Sequence, residues 1–216
     1  MNEKTILFSG EMVRAILDGR KTQTRRVMKP QPVKDEYDFW TWAGAGWGRD
    51  DIGAPVVPGH SLAVRCPYGR VHDRLWVRET FVFERWEDEP KPPDDRPLHC
   101  HSGDGSEWDE PYWLWPHYRA TDPEPELYYE DDPNGGDGPI CKWRPSIFMP
   151  RWASRITLEI VNVRVERLQG IGGTDAFAEG GFTVTQFIEL WNSINASRGY
   201  GWDVNPWVWV IEFKKD

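Results

Sequence analysis

The sequence predicts a mixed α/β fold of the α+β kind: a small curved β-barrel with short flanking helices and a long irregular acidic insertion. Three observations carry that prediction. Apolar runs of strand length recur without the strand–helix–strand rhythm of a parallel sheet. One run changes parity partway, from apolar even positions (Ile156, Leu158, Ile160) to apolar odd ones (Val161, Val163, Val165). A strand that switches faces needs a bulge, placed here near Ile160-Val161, and bulges bend sheets. Only short segments carry the 3.6-residue period of a helix.

Taken in order, Thr5–Phe8 reads as a short buried strand. From Gly10 the period changes: Met12, Val13, Ile16 and Leu17 share a helical face, and Gly19 follows as the stop. Thr22–Val27 starts a strand that Pro30 and Pro32 end. Residues 31–59, rich in Pro, Gly and Trp without periodicity, read as a long ordered loop. Ser61–Arg65 is a short strand candidate, and Arg74–Phe83 (RLWVRETFVF) a stronger one. Residues 84–141 lose apolar periodicity and read as a surface insertion with a short strand near Tyr118-Arg119-Ala120. After the bulged strand, Thr174–Glu179 makes a short helix ended by Gly180-Gly181. Thr183 and Gln186 fit a capping box before a helix whose face is Val184, Phe187, Ile188 and Trp191. Trp207–Phe213 is apolar on both faces except at Glu212, the mark of a central strand.

The 216 residues suffice for one full core, and the chain is read as a single domain, 1–216, carrying the insertion 84–141. The net charge of −9 conceals an asymmetry: residues 84–141 hold 4 Lys/Arg against 17 Asp/Glu, whereas residues 1–34 hold 8 against 3 and residues 142–168 hold 6 against 2. A long duplex needs a broad cationic footprint, and this chain offers only a local one. No apolar run approaches the roughly 18 residues of a membrane span. Met1-Asn2-Glu3-Lys4 lacks the basic and apolar regions of a signal peptide. Cys66, Cys100 and Cys141 are odd in number and widely spaced, so they form no disulfide framework, and the expectation is a cytoplasmic protein without a membrane partner. His99-Cys100-His101 has no second ligand pair at a useful spacing, so no metal is assigned. The Gly pairs at 135–136, 172–173 and 180–181 lack the Lys-Ser/Thr of a phosphate loop. Of the 14 tryptophans, Trp40, Trp42, Trp47, Trp113 and Trp115 lie in polar, Gly/Pro-rich surroundings, where they join the core or face a groove.

The stretch Gly19-Arg20-Lys21-Thr22-Gln23-Thr24-Arg25-Arg26 holds four cations within seven residues, next to two hydroxyls. Such a turn is either a base-plus-hydroxyl site or a cationic cap on the preceding helix that grips anions. A base must be neutral, and an ordinary lysine near pKa ~10.4 is not. Clustered Arg20, Arg25 and Arg26 would disfavour the charged form of Lys21; a fall of about three units takes roughly 4 kcal/mol. Neutral Lys21 would then take the proton of Thr24, which attacks a carbonyl, with a carboxylate holding the substrate or moving the proton.

The helix followed by Gly19-Arg20-Lys21-Thr22-x-Thr24-x-Arg26 resembles the opening signature of the ASCH family, within the PUA-like superfamily. Leu168-x(6)-Asp175-Ala176-x-Ala178-Glu179-Gly180, the Phe187-to-Trp191 helix and Trp207–Phe213 resemble its closing elements. The whole chain is also similar to phage and prophage proteins of unassigned role, at Arg74–Phe81 and Pro145–Ile156, with His72-Asp73 where a Gly-Asp turn is common. That likeness implies a host cytoplasm. Small bacterial enzymes that remove the acetyl group from N4-acetylcytidine are similar at the same motifs. The resemblance implies a PUA-like barrel, Lys21 as base, Thr24 as nucleophile, Glu179 as the carboxylate that positions substrate or proton, and no cofactor.

The function expected is therefore an amidohydrolase acting on a modified nucleoside or base. The alternative is a non-catalytic module that binds a modified base, or RNA or single-stranded nucleic acid carrying it, with Arg20, Arg25, Arg26 and Arg155 on phosphates and a Trp stacked on the base. A third reading is a phage-encoded interaction protein whose acidic insertion mimics nucleic acid. Substrate-binding candidates are Arg20, Arg26, Glu79, Trp152 and Arg155. The acidic balance favours a small substrate over a polyanion.

Overall fold

The computed structural model describes residues 2–57, 60–86, 113–122 and 143–216; most of the acidic insertion, including His99-Cys100-His101, lies outside them, as do the side chains of 84–86 and 113–115. By their contacts the residues fall into two compact units, one formed by 1–6, 14–77 and 156–216, the other by 7–13 and 78–155. In chain order the strands are β1 (Glu3–Leu7), β2 (Gln23–Val27), β3 (Val33–Lys34), β4 (Trp40–Trp42), β5 (Ala45–Gly46), β6 (Ala54–Pro55), β7 (Arg74–Arg78), β8 (Phe81–Trp86), β9 (Trp113–Tyr118), β10 (Thr157–Arg167) and β11 (Trp207–Lys215). The helices are α1 (Gly10–Leu17), α2 (Gly173–Ala178) and α3 (Val184–Asn195). The fold is mixed α/β and rich in strand.

The first unit is organised by a six-stranded sheet in the order β1-β7-β10-β11-β2, with β6 also on β10. The path is open, and no closed barrel is found among the described residues. The expected bulge is present: the register passes from Ile160↔Phe213 to Asn162↔Glu212 and leaves Val161 unmatched. The extra residue resets the parity, so Leu158, Ile160, Val163 and Val165 are all buried while Val161 is exposed.

β11 is central, between β10 and β2, and Trp207 to Ile211 are buried without interruption. Its Val208 and Val210 pack with Leu168, Ile171, Ala176, Phe187 and Trp191, which brings α2 and α3 onto one face. The capping box of α3 is formed: Thr183 accepts from the Gln186 amide, and the Gln186 side chain accepts from Thr183. On the other face Trp207 and Trp209 are met edge-on by Trp40, Trp47 and Trp42.

Those indoles belong to a segment that differs from its expectation. Residues 31–59 are not a loop; they contain the antiparallel meander β3-β4-β5, and β6 joins the main sheet. Strands of two or three residues are too short for alternation to register. What builds them is turn chemistry: the Asp35 carboxylate accepts from the amides of Tyr37 and Phe39, and Ala43-Gly44 takes positive φ (49° and 76°). Trp40, Trp42 and Trp47 are thus packed on the core.

Ser61–Arg65 is turn, not strand, because Ala63 and Arg65 amides donate to carbonyls three residues back. Arg74–Phe83 is broken at Glu79-Thr80 into β7 and β8. In the second unit β8 pairs with β9, which ends at Tyr118, where the sequence placed a strand's beginning. His72 sits at φ 72°, a left-handed conformation that favours glycine. Among the described residues no helix is long and apolar enough to cross a membrane.

Candidate functional site

Gly19, at φ 74°, ends α1, and the amides of Arg20 and Lys21 both donate to the Ala15 carbonyl (2.9 Å each). The chain then meets the end of α2. The Thr22 amide donates to the Ala178 carbonyl (2.9 Å), and Lys21 forms an antiparallel bridge with Glu179. α2 stops there because Gly180 and Gly181 take φ of 150° and 87°. A Cβ at Gly181 would stand 3.2 Å from the Arg20 guanidinium.

Lys21 is 4% exposed and Glu179 5%. The Lys21 Nζ donates to the Gln23 carbonyl (2.7 Å), the Glu179 carbonyl (2.6 Å) and Glu179 Oε2 (3.2 Å). Three acceptors match the three N–H of an ammonium. Burial works the other way and is the largest influence, pushing the Lys21 pKa down; Glu179 opposes it, and Arg26 and Arg25 add smaller downward pushes. Desolvation, more than clustered cations, therefore weakens the ammonium. Arg20 takes no part: it is exposed, donating to Asp18 and to the Gly180 carbonyl (2.8 Å each).

The amine lies at the open edge of β2. Thr22 O accepts from the Phe213 amide, so the next carbonyl, that of Gln23, points away from β11 toward the edge where Nζ binds it. Alternation then sorts the β2 side chains. Gln23 and Arg25 pair with Glu212 and Val210 on the helix-covered face, whereas Thr24 and Arg26 pair with Ile211 and Trp209 on the other. Thr24 is 4% exposed, and among the described residues no hydrogen bond joins its hydroxyl to Lys21. The structure thus joins Lys21 to Glu179, and it puts the Thr24 side chain on the face of β2 opposite Arg25. Arg26 is half-buried; desolvation pushes its guanidinium down, against Tyr68 and Glu179.

On the helix side the site continues into an ion network absent from the sequence expectations. Arg25, its side chain fully enclosed, donates to Glu179 Oε1 (3.0 Å), Asp175 Oδ2 (3.1 Å) and Glu166 Oε1. Arg164 grips the same two acids from the other side, Glu166 Oε2 and Asp175 Oδ1 (3.1 Å each), and also reaches Glu212 and Gln23. Gln23 Nε2 and Arg25 Nε are buried donors with no acceptor among the described residues. The trace in the sequence is Arg164 and Glu166 alternating with Val163 and Val165, plus the lone Glu212 of β11.

In the second unit Glu79 meets Arg155. Arg155 forms a fork on the Glu79 carboxylate (2.9 and 3.0 Å) and lies 3.9 Å over the Tyr118 ring. Trp152 stacks on Phe83 at 4.9 Å. Burial pushes the Glu79 carboxyl up, and Arg155 pulls it back. No protein-family model matches the chain, and neither the curated proteins nor the solved structures hold a match.

Proposed function

We propose that the protein is an amidohydrolase of the ASCH type, acting on an acetylated nucleoside or base such as N4-acetylcytidine, and that the open sheet is part of a PUA-like barrel. The observation that carries this reading is Lys21: an amine buried at a strand edge, weakened by desolvation and seated on a carboxylate. An amine held only for structure gains little from such a place, since burying a charge is costly.

The chemistry follows from the groups present. In the neutral form that burial favours, Lys21 leaves Oε2, the longest of the three contacts named above, and turns to the Thr24 hydroxyl. It takes that proton as Thr24 Oγ1 bonds to the acetyl carbon. The tetrahedral adduct collapses, the C–N bond breaks, and the Lys21 ammonium protonates the departing amine. Water, deprotonated by Lys21, then cleaves the Thr24 ester; the Lys21 ammonium returns its proton to the departing Thr24 oxygen, and acetic acid is released and ionises to acetate. Base catalysis of this kind is worth about 10²–10⁴ in rate.

The state of the arginines weighs in favour of a small substrate. Arg25 and Arg155 are engaged by carboxylates, so they are poor grips for phosphates. The test is incubation with N4-acetylcytidine, following cytidine and acetate, beside Lys21→Ala and Thr24→Ala. Turnover lost in both variants supports the enzyme. No turnover, with salt-sensitive oligonucleotide binding that an Arg26→Ala change removes, supports the binding module instead.

A further inference from the structure

The Glu179 carboxylate is shared. One oxygen, Oε2, accepts from Lys21, and the other, Oε1, accepts from Arg25. The Gln23 and Glu179 carbonyls that accept from Lys21 Nζ cannot take a proton, and the Glu179 carboxylate is the acceptor that opposes the downward push of burial. With Oε1 turned to Arg25, only Oε2 faces the amine.

Arg25 has no freedom to do otherwise. Glu166 and Asp175 pin its second terminal nitrogen, Arg164 pins those two acids, and the Phe187 ring lies 6.0 Å from the guanidinium. The charged groups facing Lys21 include Glu179, Arg26 and Arg25. Those facing Arg25 are Glu166, Asp175 and Glu179.

We propose that Arg25 is the positioning residue of this site: by holding Oε1 of Glu179 it leaves Lys21 a single carboxylate oxygen and loosens the amine's grip on its proton. The role in turnover rests on the amidohydrolase reading above; the effect on Lys21 does not.

The test is an NMR titration of Lys21 in the full chain labelled with ¹³C-lysine, its signal assigned with Lys21→Arg. Folded Arg25→Gln is expected to raise the Lys21 midpoint by roughly one pH unit, because a cation is lost and Glu179 is freed for the amine. Arg25→Lys keeps a charge but not the fork, so it raises the midpoint by less and lowers kcat at neutral pH with KM unchanged. If Arg25→Gln does not fold, Arg25→Lys alone decides. A midpoint equal to or below that of the wild type in a folded variant overturns the proposal. A raised midpoint in a protein without turnover keeps the positioning role and removes the amidohydrolase reading. Turnover with an unmoved midpoint does the reverse.

Discussion

Lys21 and Glu179, 158 residues apart, are joined twice, through the Glu179 main-chain carbonyl at 2.6 Å and its carboxylate at 3.2 Å. The first contact places the amine, and the second opposes the downward push of burial on its pKa. Removing only the second is informative. Glu179→Gln keeps the volume and takes the charge, and Arg25 keeps Glu166 and Asp175 as partners. A buried ammonium deprived of its counter-ion costs about 3–5 kcal/mol. Urea unfolding at neutral pH is expected to show a loss near the lower end; a loss below about 1 kcal/mol would mean that Lys21 is already neutral in the resting protein.

Gly53 lies where β6 approaches β10. A Cβ there would stand 2.0 Å from the Val165 carbonyl oxygen and 2.8 Å from Glu166 Cα, both backbone atoms. Gly53→Ala must push β6 off β10 and disturb Glu166, which holds Arg25. The expected loss is about 2–3 kcal/mol in thermal or urea unfolding, with a drop in turnover out of proportion to the fraction unfolded.

Glu79 gives a pH signature. Its carboxyl is raised above the ordinary value of 4.5 by burial, which outweighs the Arg155 fork. A raised acid stabilises the fold fully below that ordinary value and loses the contribution as pH rises through the folded value. The stability of the wild type relative to Glu79→Gln is therefore expected to fall as pH rises above about 4.5. A difference that is flat, or that grows with pH, in urea titrations across this range contradicts the assignment.

What the sequence makes legible is local. The bulge at Val161 is readable because parity is a property of one strand, and the Thr183–Gln186 box because its partners are three residues apart. The pairing of Lys21 with Glu179 was expected through family resemblance, not through spacing. The Arg25 network was hidden for a physical reason: charged residues alternating with valines in β10 look like a solvated face, and only α2 folding over them turns Arg164 and Glu166 inward. The β3–β5 meander was missed because its strands are shorter than one alternation, and the break at Glu79 because aromatic and branched residues continue across it.

The proposed reaction assigns the attack to the Thr24 hydroxyl. It is tested most directly by kcat/KM on N4-acetylcytidine for the wild type, Thr24→Ser and Thr24→Val. Serine keeps an alcohol at the same place on β2, and valine keeps the shape without it. Cytidine release by the wild type, most of it kept by Thr24→Ser and a loss of at least about a hundredfold in Thr24→Val, is the predicted result. Release by folded Thr24→Val at the wild-type rate, or none from the wild type, would contradict it.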